Sequence, residues 1–164
     1  MPVSERRFRR VLGHLAGGVA LVTARGPDGE PRGLTATSLC SVSLEPPLVL
    51  VSVDRASNTH PGIEASGAYA INLLARDQEE LAARFARGEP EKFRGLAVAE
   101  RVTGSPVLEA ALAHLDCTVE RTVEAGDHTL FIGRVEAADV REGGGEPLVH
   151  HLGRYGTLTG AGPR

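Results

Sequence analysis

The sequence predicts a mainly β fold: an antiparallel barrel or sandwich with two or three helices packed outside it. Three observations predict it. Six or seven short segments rich in β-branched residues are spread along the 164-residue chain. Most are joined by turn-sized stretches and not by regular crossover helices, which argues against a doubly wound sheet. Two of them, "HLDCTVERTVEA" (114–125) and "HTLFIGRVEAADV" (128–140), are long and meet at a "GD" pair, a hairpin signal.

The elements follow in order. "SERRFRRVLGHLAGG" starts on Ser4, a good N-cap, and carries Phe8, Val11, Leu12 and Leu15 at helical spacing before Gly17 and Gly18 stop it. "VALVTA" (19–24) is short, apolar and β-branched, hence a strand. Pro27, Asp28 and Gly29 form a turn, and "GLTATSLCSVS" (33–43) returns as the hairpin partner. "EPP" (45–47) separates it from a strand over 49–53, since proline donates nothing to a ladder. "NTHPGIEAS" (58–66) reads as a short capped helix and "AYAINLL" (68–74) as a strand. In "RDQEELAARFARG", Asp77 caps a helix, Glu80 takes the capping-box position, and Leu81, Ala82 and Phe85 line its apolar face. Residues 89–106 read as loop, and a "GGGEP" loop precedes the final "LVHHLGRYGTL". There is no internal repeat and no linker, so residues 1–164 are expected to form a single domain.

Composition narrows the function classes. The net charge is −3, which gives no electrostatic footprint for nucleic acid or an anionic membrane. No apolar run reaches the roughly 18–20 residues of a membrane span, and the N-terminus lacks a secretory h-region, so a cytoplasmic location is expected. Cys40 and Cys117 have no C-x-x-C spacing, which argues against a disulfide framework or a zinc site. The chain contains no G-x-G-x-x-G after a strand, no P-loop, no H-E-x-x-H and no G-x-S-x-G. His150 and His151 are adjacent and would face opposite sides of a strand; His114, Asp116 and Cys117 are likewise split by alternation.

One constellation carries chemistry. Residues 33–43 hold five hydroxyl side chains (Thr35, Thr37, Ser38, Ser41, Ser43) and no charge. Small side chains leave backbone N–H groups within reach of a flat ligand, and hydroxyls bond ring carbonyls or phosphate oxygens without adding charge. A second polar cluster, "SVDRASNT" (52–59), ends the next strand and leads into a helix start. Two neighbouring strands therefore end in groups suited to a planar, phosphorylated ligand. A pair of Ser/Thr-rich edge strands with no ligand accounts for the composition equally well.

The ordered set "GVALVTA", "GLTATSLCSVSLEPPLVLVSVDRASNT", "YAINLLARDQEELAARFA", "KF", "LDCTVE" and "GDHTLFIGRV" resembles the flavin reductase-like family. These are short-chain FMN-binding reductases, among them the reductase components of two-component flavin monooxygenases. The resemblance runs over about residues 8–158. It implies an antiparallel split β-barrel related to Greek-key barrels, a homodimer, and hydride transfer from NADH or NADPH to FMN or FAD. Reduced flavin would then pass to a partner oxygenase. It also implies roles for particular residues. Thr35, Ala36, Thr37 and Ser38 would run along the isoalloxazine. Ser52, Val53 and Asp54 would lie near the ring or ribityl chain, and Ser57, Asn58 and Thr59 near ribityl and phosphate. Lys92 and Phe93 match the "KF" pair, with Lys92 neutralising phosphate and Phe93 covering the flavin; Lys92 is the chain's one lysine among 18 Lys and Arg. His128 of "GDH" would place the nicotinamide, and Tyr155 would pack near the flavin. Leu15 and Gly156 depart from the family pattern, and both departures bear on how the flavin is covered. A flavin-binding electron carrier without a nicotinamide site is the alternative, and "GDH" is the feature that separates the two. An oxidase of the pyridoxamine-phosphate type shares the barrel, but no Arg and His cluster for a second phosphate is evident.

Overall fold

The structure, a computed structural model, describes residues 3–88 and 90–158. Its elements are α1 (Glu5–Leu12), β1 (Gly17–Gly18), β2 (Ala20–Arg25), β3 (Pro31–Ala36), β4 (Leu39–Leu44), β5 (Pro47–Asp54), α2 (His60–Ser66), β6 (Ala68–Leu73), α3 (Glu79–Ala86), β7 (Val98–Glu100), β8 (Pro106–Leu108), β9 (Ala113–Ala125), β10 (His128–Val140), β11 (Val149–His151) and β12 (Arg154–Gly156). The main sheet has seven antiparallel strands in the order β3-β2-β6-β9-β10-β5-β4. Its two outermost strands, β3 and β4, are consecutive in the chain, with only Thr37 and Ser38 between them. β3 pairs with β2 and β4 pairs with β5. At the handover the Ser52 amide donates to the Ser38 carbonyl at 3.0 Å. One run of chain thus joins both ends of the curled sheet, while β3 and β4 each keep a ladder on one side only. This is a split antiparallel barrel. The sequence reading had residues 33–43 pairing as one strand with β2; the run instead changes partner at Thr37–Ser38, so each half keeps a ladder.

β2 explains why "VALVTA" reads as an unbroken apolar run. Ala20, Val22 and Ala24 point into the barrel against Ala36, Val51, Val53, Tyr69, Ile71 and Phe131. Val19 and Leu21 point the other way, into a second cluster with Leu74, Ala82, Phe85, Leu108 and Leu148. A strand covered on both faces has no polar side to show. Between strands β10 and β6, Gly133 makes room for Tyr69: a Cβ at Gly133 would lie 2.4 Å from the tyrosine oxygen. The Tyr69 hydroxyl donates to the Phe131 carbonyl at 3.2 Å. Burial raises its pKa above the ordinary tyrosine range.

Burial also pushes the neighbouring Cys117 thiol up, from 9.0 to about 12, with Asp116 and Glu136 adding to it. A folded-state pKa above the unfolded one means stability is full below the unfolded value and is lost as pH rises through the folded value. The denaturation midpoint is therefore expected to fall between about pH 9 and about 12. Part of that fall should vanish in Cys117→Val, measured by urea melts across the range.

The helices hold as expected in place and differ in detail. Ser4 caps α1, but the apolar stripe buries nothing: Phe8, Val11 and Leu12 stay exposed, as does Leu15 beyond it, at 73%. The cap ahead of α3 is not Asp77. A 3-10 turn (Arg76–Gln78) leads in, and the Gln78 side chain accepts from the Ala75 amide at 2.8 Å. A glutamine one residue further on reaches back where the shorter aspartate does not. α2 has Thr59 at its N-cap without a side-chain cap bond; Ser57 Oγ accepts from the His60 amide at 3.2 Å instead. The stretch read as loop contains the β7–β8 hairpin, too short for a visible period. In the terminal hairpin β11–β12, Leu152 and Gly153 both have positive φ (50° and 76°), the primed turn that two-residue hairpins favour. β11 and β12 form a small sheet with β1. As alternation requires, His150 and His151 part company there: one ring packs on Tyr155 and the other on His14.

Candidate functional site

Two places gather the expected residues. The first is the end of the barrel where β5 and β10 run side by side. Asp54 is the cross-strand partner of His128, and Ser52 that of Leu130. Directly paired residues share a face. Val53 and Thr129, one step along, are buried toward the barrel interior, so Ser52, Asp54 and His128 share the outer face. Val53 offers this rim only its backbone. The Ser38 hydroxyl donates to the Ser52 carbonyl at 2.9 Å, which ties the handover segment to the same end. Thr37 and Ser38 are exposed there, and Gly17 passes so close that a Cβ on it would meet Thr37 at 3.3 Å.

His128 is held from its own turn. Its Nδ1 lies 2.7 Å from the Asp127 carboxylate, and its side chain is 40% exposed. That hydrogen bond is the main reason the Asp127 carboxyl sits below its ordinary range. A carboxylate at Nδ1 keeps the ring proton there and leaves Nε2 as the acceptor of the neutral imidazole. Arg55 secures the turn itself. Its amide donates to the Asp127 carbonyl at 3.0 Å and its guanidinium to the Gly126 carbonyl at 2.7 Å.

The second place is an open cleft of about 690 Å³ whose lining includes Arg32, Gly33, Asn58, Lys92 and Phe93. The Lys92 ammonium donates to the carbonyls of Phe85 (2.9 Å) and Gly33 (3.1 Å), so it closes the C-terminal end of α3 onto β3. Phe93 packs edge to face on Phe85 with ring centres 5.0 Å apart. Thr35 makes the parallel tie, its hydroxyl donating to the Ala82 carbonyl at 2.6 Å. Thr35 therefore points at α3, and Ala36 points into the barrel core. Ser57 serves α2, as described above. Thr59 is fully buried, and its hydroxyl has no hydrogen-bond partner among the described residues. Tyr155 lines a different groove, of about 560 Å³, with His151 and Arg154. It packs against the second core cluster, and burial followed by the charge of Glu79 raises its pKa.

Sequence reasoning missed two residues that brace this region. Arg55 is one of many arginines in the chain, and nothing beside it in the sequence singles it out. His60 hid inside a helix start, yet it is only 7% exposed. The usable signal was a polar ring beside a proline in a segment that must close over the barrel. Among the described residues, no His, Cys, Asp and Glu group is arranged to hold a metal, and no helix is long and apolar enough to cross a membrane.

The arrangement has close counterparts. Residues 12–159 match the family model described as a flavin reductase like domain. The chain belongs to the flavin reductase-like family. It is 42% identical over 158 residues to an NADH-dependent flavin reductase from a Rhodococcus species, covering 95% of this chain and 88% of that one. It is 40% identical over 154 residues to the reductase subunit HsaB of a flavin-dependent monooxygenase from Rhodococcus jostii, covering 93% and 77%. Among solved structures it resembles the NADH:FAD oxidoreductase SgcE6 of Streptomyces globisporus in complex with NAD and FAD fragments. That match has a TM-score of 0.89 at 35% identity and covers 99% of both chains.

The chemistry of this member's residues fits a flavin. The exposed Thr37 and Ser38 hydroxyls and the Asn58 amide supply neutral polar groups, and Lys92 supplies positive charge at the cleft wall. The orphaned Thr59 hydroxyl ends the segment that the resemblance assigns to ribityl and phosphate, and a buried polar atom of this kind calls for a partner.

Proposed function

We propose that this chain is an NAD(P)H-dependent flavin reductase that transfers hydride to FMN or FAD and passes reduced flavin to a partner oxygenase. The observation that carries the reading is the open rim where Ser52, Asp54 and a carboxylate-held His128 share one face beside the exposed Thr37–Ser38 handover. The nicotinamide supplies hydride from C4 and the flavin accepts it at N5, so the protein needs no strong base. Its task is orientation. The neutral handover segment takes the polar edge of the ring system, and Asn58 and Lys92 take the ribityl-phosphate end. His128 Nε2, the ring nitrogen not engaged by Asp127, accepts from the nicotinamide carboxamide and sets its distance. Relatives named as NADH-dependent support NADH as the donor.

The reading includes a homodimer, and the apolar stripe of α1 supports it. Phe8, Val11, Leu12 and Leu15 are all exposed in the single chain, an arrangement that calls for a covering surface. It also places the whole function in one domain.

The deciding experiment mixes the protein with FMN and NADH without oxygen and follows the flavin band. Bleaching at a rate that saturates with NADH is expected. Flavin binding with no bleaching by NADH or NADPH would reassign the chain as an electron carrier, and no flavin binding at all would end the reading. Lys92→Ala separates the lysine's two duties. Loss of the helix-end contact should cost about 1 kcal/mol of stability. Loss of its charge should weaken FMN more than riboflavin in equilibrium titrations. Equal weakening of both ligands would confine Lys92 to capping α3.

A further inference from the structure

We propose that His60 is a positioning residue that couples the flavin-side loop to the strand end carrying His128. The inference rests on the reductase reading above. His60 is the first residue of α2, directly after the 57–59 segment assigned to ribityl and phosphate. Its backbone amide is held by Ser57, through Oγ at 3.2 Å and the carbonyl at 3.3 Å. Its ring crosses to the barrel: Nε2 lies 2.8 Å from Thr129 Oγ1, and the ring meets Phe131 edge to face at 5.3 Å. Nδ1 lies 3.3 Å from the Glu64 carboxylate. That neighbour keeps the proton on Nδ1, so the Thr129 hydroxyl donates to Nε2.

Thr129 follows His128 in β10, and the two side chains point to opposite faces. Anchoring Thr129 from inside therefore steadies the strand backbone from which His128 projects on the outer face. One residue thus holds the flavin-side loop by its backbone amide and, by its ring, Thr129, the neighbour of His128. An apolar side chain would fill the same space. A buried polar pair carries a desolvation cost unless both partners meet, so it selects one geometry where apolar packing tolerates several. Thr129 is 4% exposed and Phe131 fully buried, which leaves the pair no solvent alternative.

Thr129→Val removes the hydroxyl and keeps the shape. Single-turnover flavin reduction by NADH should slow about ten-fold in it, within the ~100-fold that a misplacement of about 1 Å costs. Reduction by dithionite, which needs no nicotinamide, should be unchanged. His60→Leu should behave alike, the double variant should be no slower than either single one, and His60→Gln should recover most of the rate. A folded Thr129→Val at the wild-type rate, equal slowing with dithionite, or multiplying effects in the double variant would overturn the link. Should the unsubstituted protein bind FMN yet resist NADH, the hydride reading falls by itself. The link is then read by NMR: FMN must shift the His128 ring signals in the wild type and much less in Thr129→Val. Absence of that shift in the wild type, or an equal shift in both, would also overturn it.

Discussion

Replacing His128 by alanine is expected to slow hydride transfer from NADH about 100-fold, or close to 3 kcal/mol of barrier, while flavin affinity stays near wild type. The split follows from where the residue sits. His128 opens β10 opposite Asp54, on the outer face, and its ring is bound to Asp127 and to nothing in the cleft that holds Asn58 and Lys92. On the proposed reading, removing it takes away the group that orients the donor and leaves the groups assigned to flavin phosphate untouched. Asp127→Asn should give a smaller loss of the same kind, because an amide facing Nδ1 no longer fixes which ring nitrogen carries the proton. The pH dependence has a definite sign. The folded-state pKa of Asp127 lies below its ordinary value of 3.8. A lowered pKa means the contact contributes fully above that ordinary value and is lost as pH falls through the lower folded one. The share of the rate that depends on the Asp127 contact should thus be complete above about 4 and be lost in acid below it. Anaerobic stopped-flow reduction at saturating NADH measures all three. A wild-type rate in His128→Ala would remove the histidine from the site.

The parts of the molecule legible in the sequence are those where one local signal settles the matter. The β9–β10 hairpin is announced by two long alternating runs around Gly126–Asp127, and the positive φ of Gly126 (65°) shows what the glycine is for. β2, β5, β6 and α3 follow from apolar runs and helical spacing. What was hidden depends on distant partners. Nothing in "TATSLCS" says that its first half pairs with residues before it and its second half with residues after it, since both halves are plausible strands. The hydroxyl of Thr35 looked available for a ligand because the Ala82 carbonyl that takes it is 47 residues away. Lys92 was legible as unusual but not as a cap, for its acceptors lie on two other elements. The α1 stripe marked a helix, and its spacing alone does not say that the apolar side stays exposed in the single chain.

The link between packing and site is sharpest at Gly33, where even a single methyl group should do damage. A Cβ there would lie 2.6 and 2.9 Å from two carbons of the Phe85 ring and 3.2 Å from the Thr23 methyl. Such distances are inside contact, so something must move. Phe85 is almost fully buried in the cluster with Leu21, Leu74, Ala82 and Leu108, and Phe93 packs edge to face on it with ring centres 5.0 Å apart. The ring has no empty space to enter, so the displacement passes to α3 or to β3. Both elements carry the cleft wall: Thr35 bonds the Ala82 carbonyl, and Lys92 spans Gly33 and Phe85. Gly33→Ala should therefore cost about 1–3 kcal/mol, the usual range for overpacking. At this chain length that corresponds to a midpoint lower by roughly 3–10 °C. Flavin affinity should fall with it, by about ten-fold or 1.4 kcal/mol, because the wall moves with the helix. Combining Gly33→Ala with Phe85→Leu tests the route. If the clash is the cause, the smaller side chain restores part of both quantities, and the pair departs from additivity. A Gly33→Ala protein with unaltered melting and unaltered FMN binding would show that the ring yields freely and that α3 does not position the cleft.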